Sequence, residues 1–166
     1  MYSDLFTPVF SAKANNKTIL FASLYCFLLI AKSASASDEI NADNKLALHG
    51  YDPISYFSGK PGRGKDKIFS INNEVKYLFT SVENKRVFDS DPEHYAPMYG
   101  GYCAYGVRMG KKLDNDPLAY EINDDHLYVL LNRATHKMWQ QDMLENIQIS
   151  DRLWPQIEAK SIKSLQ

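Results

Sequence analysis

Two pairs of short apolar segments, each pair divided by a polar turn, limit what this chain can fold into. Residues 68–71 and 75–79 flank an Asn-Asn pair, and residues 118–122 and 127–131 flank Asn-Asp-Asp. Within residues 75–79, Val75, Tyr77 and Phe79 alternate with Lys76 and Leu78. Strand-like segments around Asn- and Asp-rich turns predict β-hairpins. We therefore expect two hairpins that form an antiparallel sheet.

Helices are expected around the hairpins. Thr80 and Glu83 match a capping box, with Thr80 as the cap of a helix that ends near residue 90. Residues 100–109 begin with two glycines and predict a second helix that ends at Gly110. We find no internal repeat in the sequence. The fold class is therefore α+β, a small single domain whose sheet is packed by short helices.

The C-terminal part is also expected to be helical. A helix is predicted from Arg133 to about residue 143, and a further piece near Pro155, where proline fits a first turn best.

The N-terminal part contains an apolar run over residues 19–31 that follows two lysines. A membrane-spanning helix needs about 20 apolar residues, so a cleaved signal peptide over residues 1–36 is favoured over a retained anchor. Ala34-Ser35-Ala36 supplies the small residues of a cleavage site before Ser37. The expected product is exported, periplasmic or secreted, without stable membrane insertion.

Composition restricts the partners but names none. The chain has 166 residues, 45% of them apolar and 23% charged, with a formal net charge of −1, which is typical of a globular protein and gives no electrostatic reason to bind nucleic acid. We expect a flexible segment over residues 37–45, one domain over 46–158 and a tail over 159–166.

Three ordered motifs resemble the YHS domain family. They are Gly-Tyr-Asp-Pro-Ile-Ser-Tyr-Phe at 50–57, Asp-Pro-Glu-His-Tyr-Ala-Pro at 91–97 and Tyr-Gly-Gly-Tyr-Cys-Ala-Tyr-Gly at 99–106. The resemblance implies a small α+β module of the exported, stand-alone branch, related to cysteine-bearing metal-binding modules. It implies no reaction.

The chain departs from those metal-binding modules at two positions. Their cysteines follow an Asp-Pro and end a Tyr-Phe-type strand, and Ser55 and Thr80 occupy these places here. Hydroxyls are poor ligands for soft metals, so the usual metal site is not carried over.

Cys103 is the single cysteine that survives leader cleavage. Its place near a helix start would favour a thiolate, whereas Tyr99 and Val107, four residues to either side, indicate a core-facing stripe. Metal or ligand contact, a nucleophile and simple burial are all open. If a metal such as copper binds, His94 is the best second ligand, because it is the histidine nearest in sequence.

Three tyrosines near Cys103 are candidate ligand-binding residues: Tyr99, Tyr102 and Tyr105. Tyrosines at this density line pockets or pack in cores. The leading hypothesis is an exported, non-catalytic YHS-type binding module that holds a copper-like metal or a small ligand near Cys103. The alternatives are a thiol-dependent enzyme or redox protein with His94 as base, and a protein-interaction domain in which Cys103 is buried.

Overall fold

The computed structural model describes residues 38–165, and the leader predicted over residues 1–36 lies outside them. The described residues confirm the α+β class, with these strands and helices in chain order: β1 (Ala42–Asp43), β2 (Leu46–Ala47), β3 (Lys65–Asn72), β4 (Val75–Phe79), α1 (Val82–Ser90), α2 (Pro92–Tyr95), α3 (Ala104–Arg108), β5 (Asp116–Asn123), β6 (His126–Leu130), α4 (Arg133–Gln141) and α5 (Met143–Ile157). Short 3-10 turns cover Leu48–Gly50, Pro53–Ser58, Met98–Gly101 and Ile162–Leu165.

Both expected hairpins form, but they belong to separate sheets. β3 and β4 lie in a four-stranded sheet of order β1-β2-β4-β3, in which β2 runs parallel to β4. β5 and β6 form a two-stranded antiparallel sheet of their own. The expectation of one antiparallel sheet is thus corrected. The reason is that β4 pairs with β3 along one edge and with β2 along the other. No edge of β4 therefore remains for the second hairpin.

The hairpin turns follow from their sequences. Asn73 and Glu74 have φ angles of 48° and 63°, and Asp124 and Asp125 have 48° and 59°. Two successive left-handed residues make the two-residue turn whose twist matches the strands it joins, and Asn and Asp adopt that conformation most easily among non-glycine residues.

Helix α1 begins one residue later than the capping box predicted. Ser81 is its N-cap and accepts a hydrogen bond from the Asn84 amide at 3.1 Å. The Thr80 hydroxyl instead donates to the buried carboxylate of Asp52, at 2.7 Å. The expected cap at Thr80 is wrong because tertiary structure provides a stronger acceptor for its hydroxyl.

The helix expected over residues 100–109 is interrupted at Cys103. Residues 98–101 form a separate turn in which Tyr99 and Gly100 have φ angles of 56° and 60°, and α3 begins only at Ala104. A right-handed helix cannot continue through residues of positive φ. Pro155 also differs from expectation, because it lies inside α5 rather than in a first turn.

The described parts of the segment expected to be flexible, 37–45, and of the C-terminal tail, 159–166, both pack on the domain. Within 37–45, β1 pairs with β2, and the Asn41 amide donates to the Gly100 carbonyl at 2.8 Å. Within 159–166, the Ile162 amide donates to the Asp38 carboxylate at 3.2 Å. The two segments therefore contact each other, a relationship between chain ends that local sequence does not encode.

The structure contains an internal repeat that the sequence does not reveal. Residues 48–100 and 99–151 follow the same course at a constant offset of 51 positions. The β3–β4 and β5–β6 ladders have the same register, and both contain an irregularity between the same paired positions, Lys65/Phe69 and Asp116/Tyr120. The expectation that the chain has no internal repeat is therefore wrong. Identical residues such as Gly50/Gly101 and Tyr77/Tyr128 are too few to disclose it.

Each half opens with a run of left-handed residues. Leu48, His49 and Gly50 have φ angles of 50°, 50° and 82°, and their counterparts Tyr99, Gly100 and Gly101 have 56°, 60° and 77°. A non-glycine residue in this region costs about 1–2 kcal/mol, so each run is held by packing. Leu48 and Tyr99 are both buried.

The described residues form three apolar clusters, one of which joins the two halves. One belongs to the first half and centres on Phe79 and Phe88, and one belongs to the second half and centres on Leu130 and Trp139. The third joins Leu48 and Tyr56 of the first half to Leu127 and Val129 of the second. Because this third cluster includes side chains from both halves, the repeat forms one domain rather than two.

Candidate functional site

Cys103 lies fully buried at the N-cap of α3. Its Sγ accepts a hydrogen bond from the Gly106 amide at 3.4 Å, and the amides of Tyr105 and Leu131 and the side chain of Thr135 lie close enough to lower the pKa of the thiol. These donors favour the thiolate, but burial outweighs them and raises the pKa of the thiol. At neutral pH the side chain is a thiol without access to solvent.

The repeat explains why donors surround this sulfur. Asp52 is the counterpart of Cys103, and its buried carboxylate accepts from the amides of Ile54 and Thr80 at 2.9 and 2.8 Å and from the Asn84 side chain at 2.6 Å. These three donors lie 51 positions before Tyr105, Leu131 and Thr135, the residues that lower the pKa of the Cys103 thiol. Both positions therefore hold a hairpin end against a helix start, which is a structural role.

His94 lies far from Cys103. Its Nε2 is 3.1 Å from the Asp125 carboxylate, and its ring is 5.6 Å from that of His126, the first residue of β6. The Cys103 sulfur faces Leu131, just beyond the other end of that strand. At about 3.3 Å per residue, the two ends are roughly 15 Å apart. The structure does not bring these two candidate metal ligands together.

The three candidate tyrosines pack against the domain. The Tyr99 hydroxyl donates to Asp151 at 2.9 Å, and the Tyr102 hydroxyl donates to the Asp38 carbonyl at 2.9 Å. Burial raises the pKa of Tyr99, and raises that of Tyr102 to about 12. Tyr105 is half-buried, with the Arg108 guanidinium 5.7 Å from its ring. These contacts are those of core and near-core residues.

A groove of about 440 Å³ lies beside the segment that contains these tyrosines, with Gly100 in its lining. It is the best candidate site. Its wall comes from distant parts of the chain: the strap over residues 39–40, the turn over 72–74, the segment 93–100 and the end of α5. Tyr77, which is buried, and Trp154, which is half-buried, contribute aromatic surface. The volume is within the range of small-molecule pockets.

The groove is acidic. Four glutamates line it: Glu39, Glu74, Glu93 and Glu158. Among the described residues that line it, none is Lys or Arg. Lys45 approaches Glu74 at 3.7 Å, but both side chains are about three-quarters exposed, and such surface pairs are weak. All the charged side chains in the described lining are therefore acidic.

The strap that forms one wall is fixed by a close approach at Gly100. A Cβ atom at this position would lie 2.1 Å from the Glu39 carbonyl oxygen, closer than any side chain can come. The φ of 60° also favours glycine here. The glycine thus permits the strap to pass directly over the turn.

Lys112, which is buried, joins the chain just before the strap to the chain just after α5. Its buried ammonium donates to the carbonyls of Asp38 and Glu158, each at 2.6 Å, and of Lys160 at 2.8 Å. It also lies 5.6 Å from the Trp154 ring centre, within the range of a cation–π contact. Trp154 therefore already contacts one cation at the edge of the groove.

Comparison with protein-family models, curated proteins and solved structures finds no match. The resemblance to the YHS family accordingly stays a prediction. Within residues 38–165, no group of three or more His, Cys, Asp or Glu side chains is placed to hold a metal ion. In the same range, no helix combines the length and apolar character needed to cross a membrane.

The groove is not evident in the sequence because its four glutamates are far apart in the chain. One signal was available. Glu74 is in a hairpin turn and Glu93 is in the first turn of a short helix, so both could be expected at the surface. Nothing local indicated that they meet.

Proposed function

We propose that this chain is an exported, non-catalytic binding module of YHS type whose ligand is a small organic cation held in the acidic groove. The observation that carries the proposal is a cavity of about 440 Å³ with four carboxylates, two aromatic side chains and no lysine or arginine among its described lining residues.

The chemistry of the lining favours an ammonium group over other ligands. Carboxylates attract a cation and accept its hydrogen bonds, and aromatic faces such as that of Trp154 attract cations further. An anion would be repelled by the same four carboxylates. An organic body on the cation would contact Ile40, Ala96 and Pro97, which supply apolar surface in the lining.

Non-catalytic binding is favoured because the best nucleophile is enclosed. Cys103 is buried, its pKa is raised by burial, and His94 is too distant to act as its base. A thiol enzyme needs an accessible thiolate beside a base. The buried thiol supports a packing role for Cys103 instead.

Calorimetric titration with phenethylamine, a cation at neutral pH, tests the proposal. We expect saturable binding to the unmodified protein, weakened about tenfold by Glu74→Gln with Glu93→Gln, since exposed carboxylates each contribute modestly. Glu83→Gln with Glu145→Gln is the matched control, because it removes the same charge from exposed helix positions outside the groove lining. Equal weakening by both pairs would refute the groove as the site.

Export has its own test. The mass of the protein recovered outside the cytoplasm should correspond to a chain that begins at Ser37. A recovered mass that includes residues 1–36 would contradict cleavage of the leader.

A further inference from the structure

The second half of the repeat has a groove at the position equivalent to the acidic groove. Its volume is about 370 Å³, and its lining includes Asn123, Asp124, Tyr128, Leu144, Ile147 and Asp151. Each lies 51 positions after a residue that lines the first groove: Asn72, Asn73, Tyr77, Glu93, Ala96 and Gly100. The same parts of the repeated unit therefore build both cavities.

The second groove resembles the first in its charge and in its aromatic surface. Asp124 and Asp151 provide carboxylates, and Tyr128 provides the aromatic surface that Tyr77 provides in the first groove. Of its described lining residues, none is Lys or Arg, and His126 is its one titratable base. The lining is thus acidic and partly aromatic, like that of its counterpart.

One difference between the grooves lies at a helix start. Glu93 lies in the first turn of α2, whereas its counterpart Leu144 lies in the first turn of α5 and is 67% exposed. Asp91 and Asp142, which are also counterparts, are the N-caps of these helices. A leucine this exposed gains little from packing in the free protein, but it would cover the apolar part of a bound ligand.

We infer that the second groove is a second binding site for organic cations, so that each chain binds two. This inference rests on the proposed function, because it assigns the same ligand class to the counterpart cavity. The second site has fewer carboxylates and binds more weakly. It prefers cations with an apolar body, which Leu144 and Ile147 contact.

Two-dimensional NMR of isotope-labelled protein during titration with phenethylamine distinguishes the two sites. The amides of Asn73 and Glu74 report on the first groove, and those of Asp124 and Asp125 report on the second. We expect both sets of signals to move, with the second set saturating at the higher concentration. Movement of the first set alone would overturn the second site and leave the proposed function standing. Movement of the second set alone would overturn the proposed function, and with it the inference that each chain binds two cations. Movement of neither set would overturn both proposals.

Leu144→Glu gives the second groove the carboxylate of its counterpart. Glutamate suits the first turn of a helix, so the variant is compatible with the fold. Measured with methylammonium, which has no apolar body for Leu144 to contact, the affinity of the second site should rise about fivefold and that of the first should change less than twofold. An unchanged second affinity in the folded variant would overturn the inference.

Asp124→Asn provides an independent variant that preserves the turn. Asparagine adopts the left-handed conformation of Asp124 readily and stands at the counterpart position, Asn73. We expect about fivefold weaker binding at the second site alone. Loss at neither site, or equal loss at both, would count against the assignment.

Discussion

Asp52 and Cys103 occupy the same position in two copies of one structural unit. Each backbone amide donates to a carbonyl at 2.9 Å, from Asp52 to Gly62 and from Cys103 to Leu113. The Asp52 carboxylate accepts from the Thr80 amide just after the first hairpin, and the Cys103 sulfur lies near Leu131 just after the second. The resemblance to metal-handling modules drew attention to Cys103, but its counterpart is a carboxylate that organises the core.

Asp52→Ala should be strongly destabilising. The substitution leaves the amides of Ile54 and Thr80 and the Asn84 side chain without their acceptor in the interior. We expect the free energy of unfolding in urea to fall by about 3 kcal/mol. Asp66→Ala, at an exposed position in β3, should change it by less than about 0.5 kcal/mol. Similar losses in the two variants would contradict the buried network.

Cys103 should be inert in the folded protein. Because the thiol is fully buried and burial raises its pKa, an aromatic disulfide reagent should react with it only as fast as the protein opens. Added denaturant should accelerate the reaction sharply. Ser90→Cys, at an exposed position, serves as the reactive control. Rapid modification of Cys103 under native conditions would revive the thiol-enzyme hypothesis.

The fold should lose stability in alkaline solution. Burial raises the pKa of Tyr77, Tyr102 and Tyr128 to about 12, from an ordinary value of 10.0. Between pH 10 and 12 the unfolded chain releases these protons while the folded chain retains them, so stability is complete below pH 10 and is lost as pH rises through this window. Urea unfolding across that range, with tyrosinate absorbance recorded in parallel, measures the effect. Constant stability up to pH 12 would contradict it.

Gly100→Ala should separate steric conflict from backbone strain. The added Cβ would meet the Glu39 carbonyl, so the strap must move in addition to the strain at positive φ. Gly59 has a similar φ of 71° and open space around its Cβ direction, so Gly59→Ala should cost only about 1–2 kcal/mol of strain. We expect Gly100→Ala to cost more and to weaken phenethylamine binding. Equal unfolding free energies for the two variants would show that the strap does not press on Gly100.

The sequence predicted elements whose determinants are local. The turns at Asn73 and Asp124 specify hairpins by their conformational preferences, and both hairpins form. The α+β class follows from them and from the helices. The cap at Thr80 failed because the competing acceptor, Asp52, is 28 positions away in the chain.

Features that depend on distant residues were not predictable in the same way. The repeat is visible in the backbone conformation and in the positions of the helix caps. Ser81 and Asn132, for example, are N-caps at equivalent positions although the residues differ. The groove depends on the strap at Glu39 reaching Gly100, which requires knowledge of the assembled fold. The residues predicted to bind a ligand, such as Tyr99 and Cys103, lie in the segment that borders the groove, but their side chains are buried.

The charge requirement of the groove is the central claim, and a matched pair of probes tests it most directly. Phenethylamine and phenylethanol share an aromatic body and differ in whether they carry an ammonium or a neutral hydroxyl. Calorimetric titration at low ionic strength should give saturable binding for the amine and none for the alcohol, and added salt should weaken the amine. Equal binding of the two probes, or binding of neither, would contradict a cation site in the acidic groove.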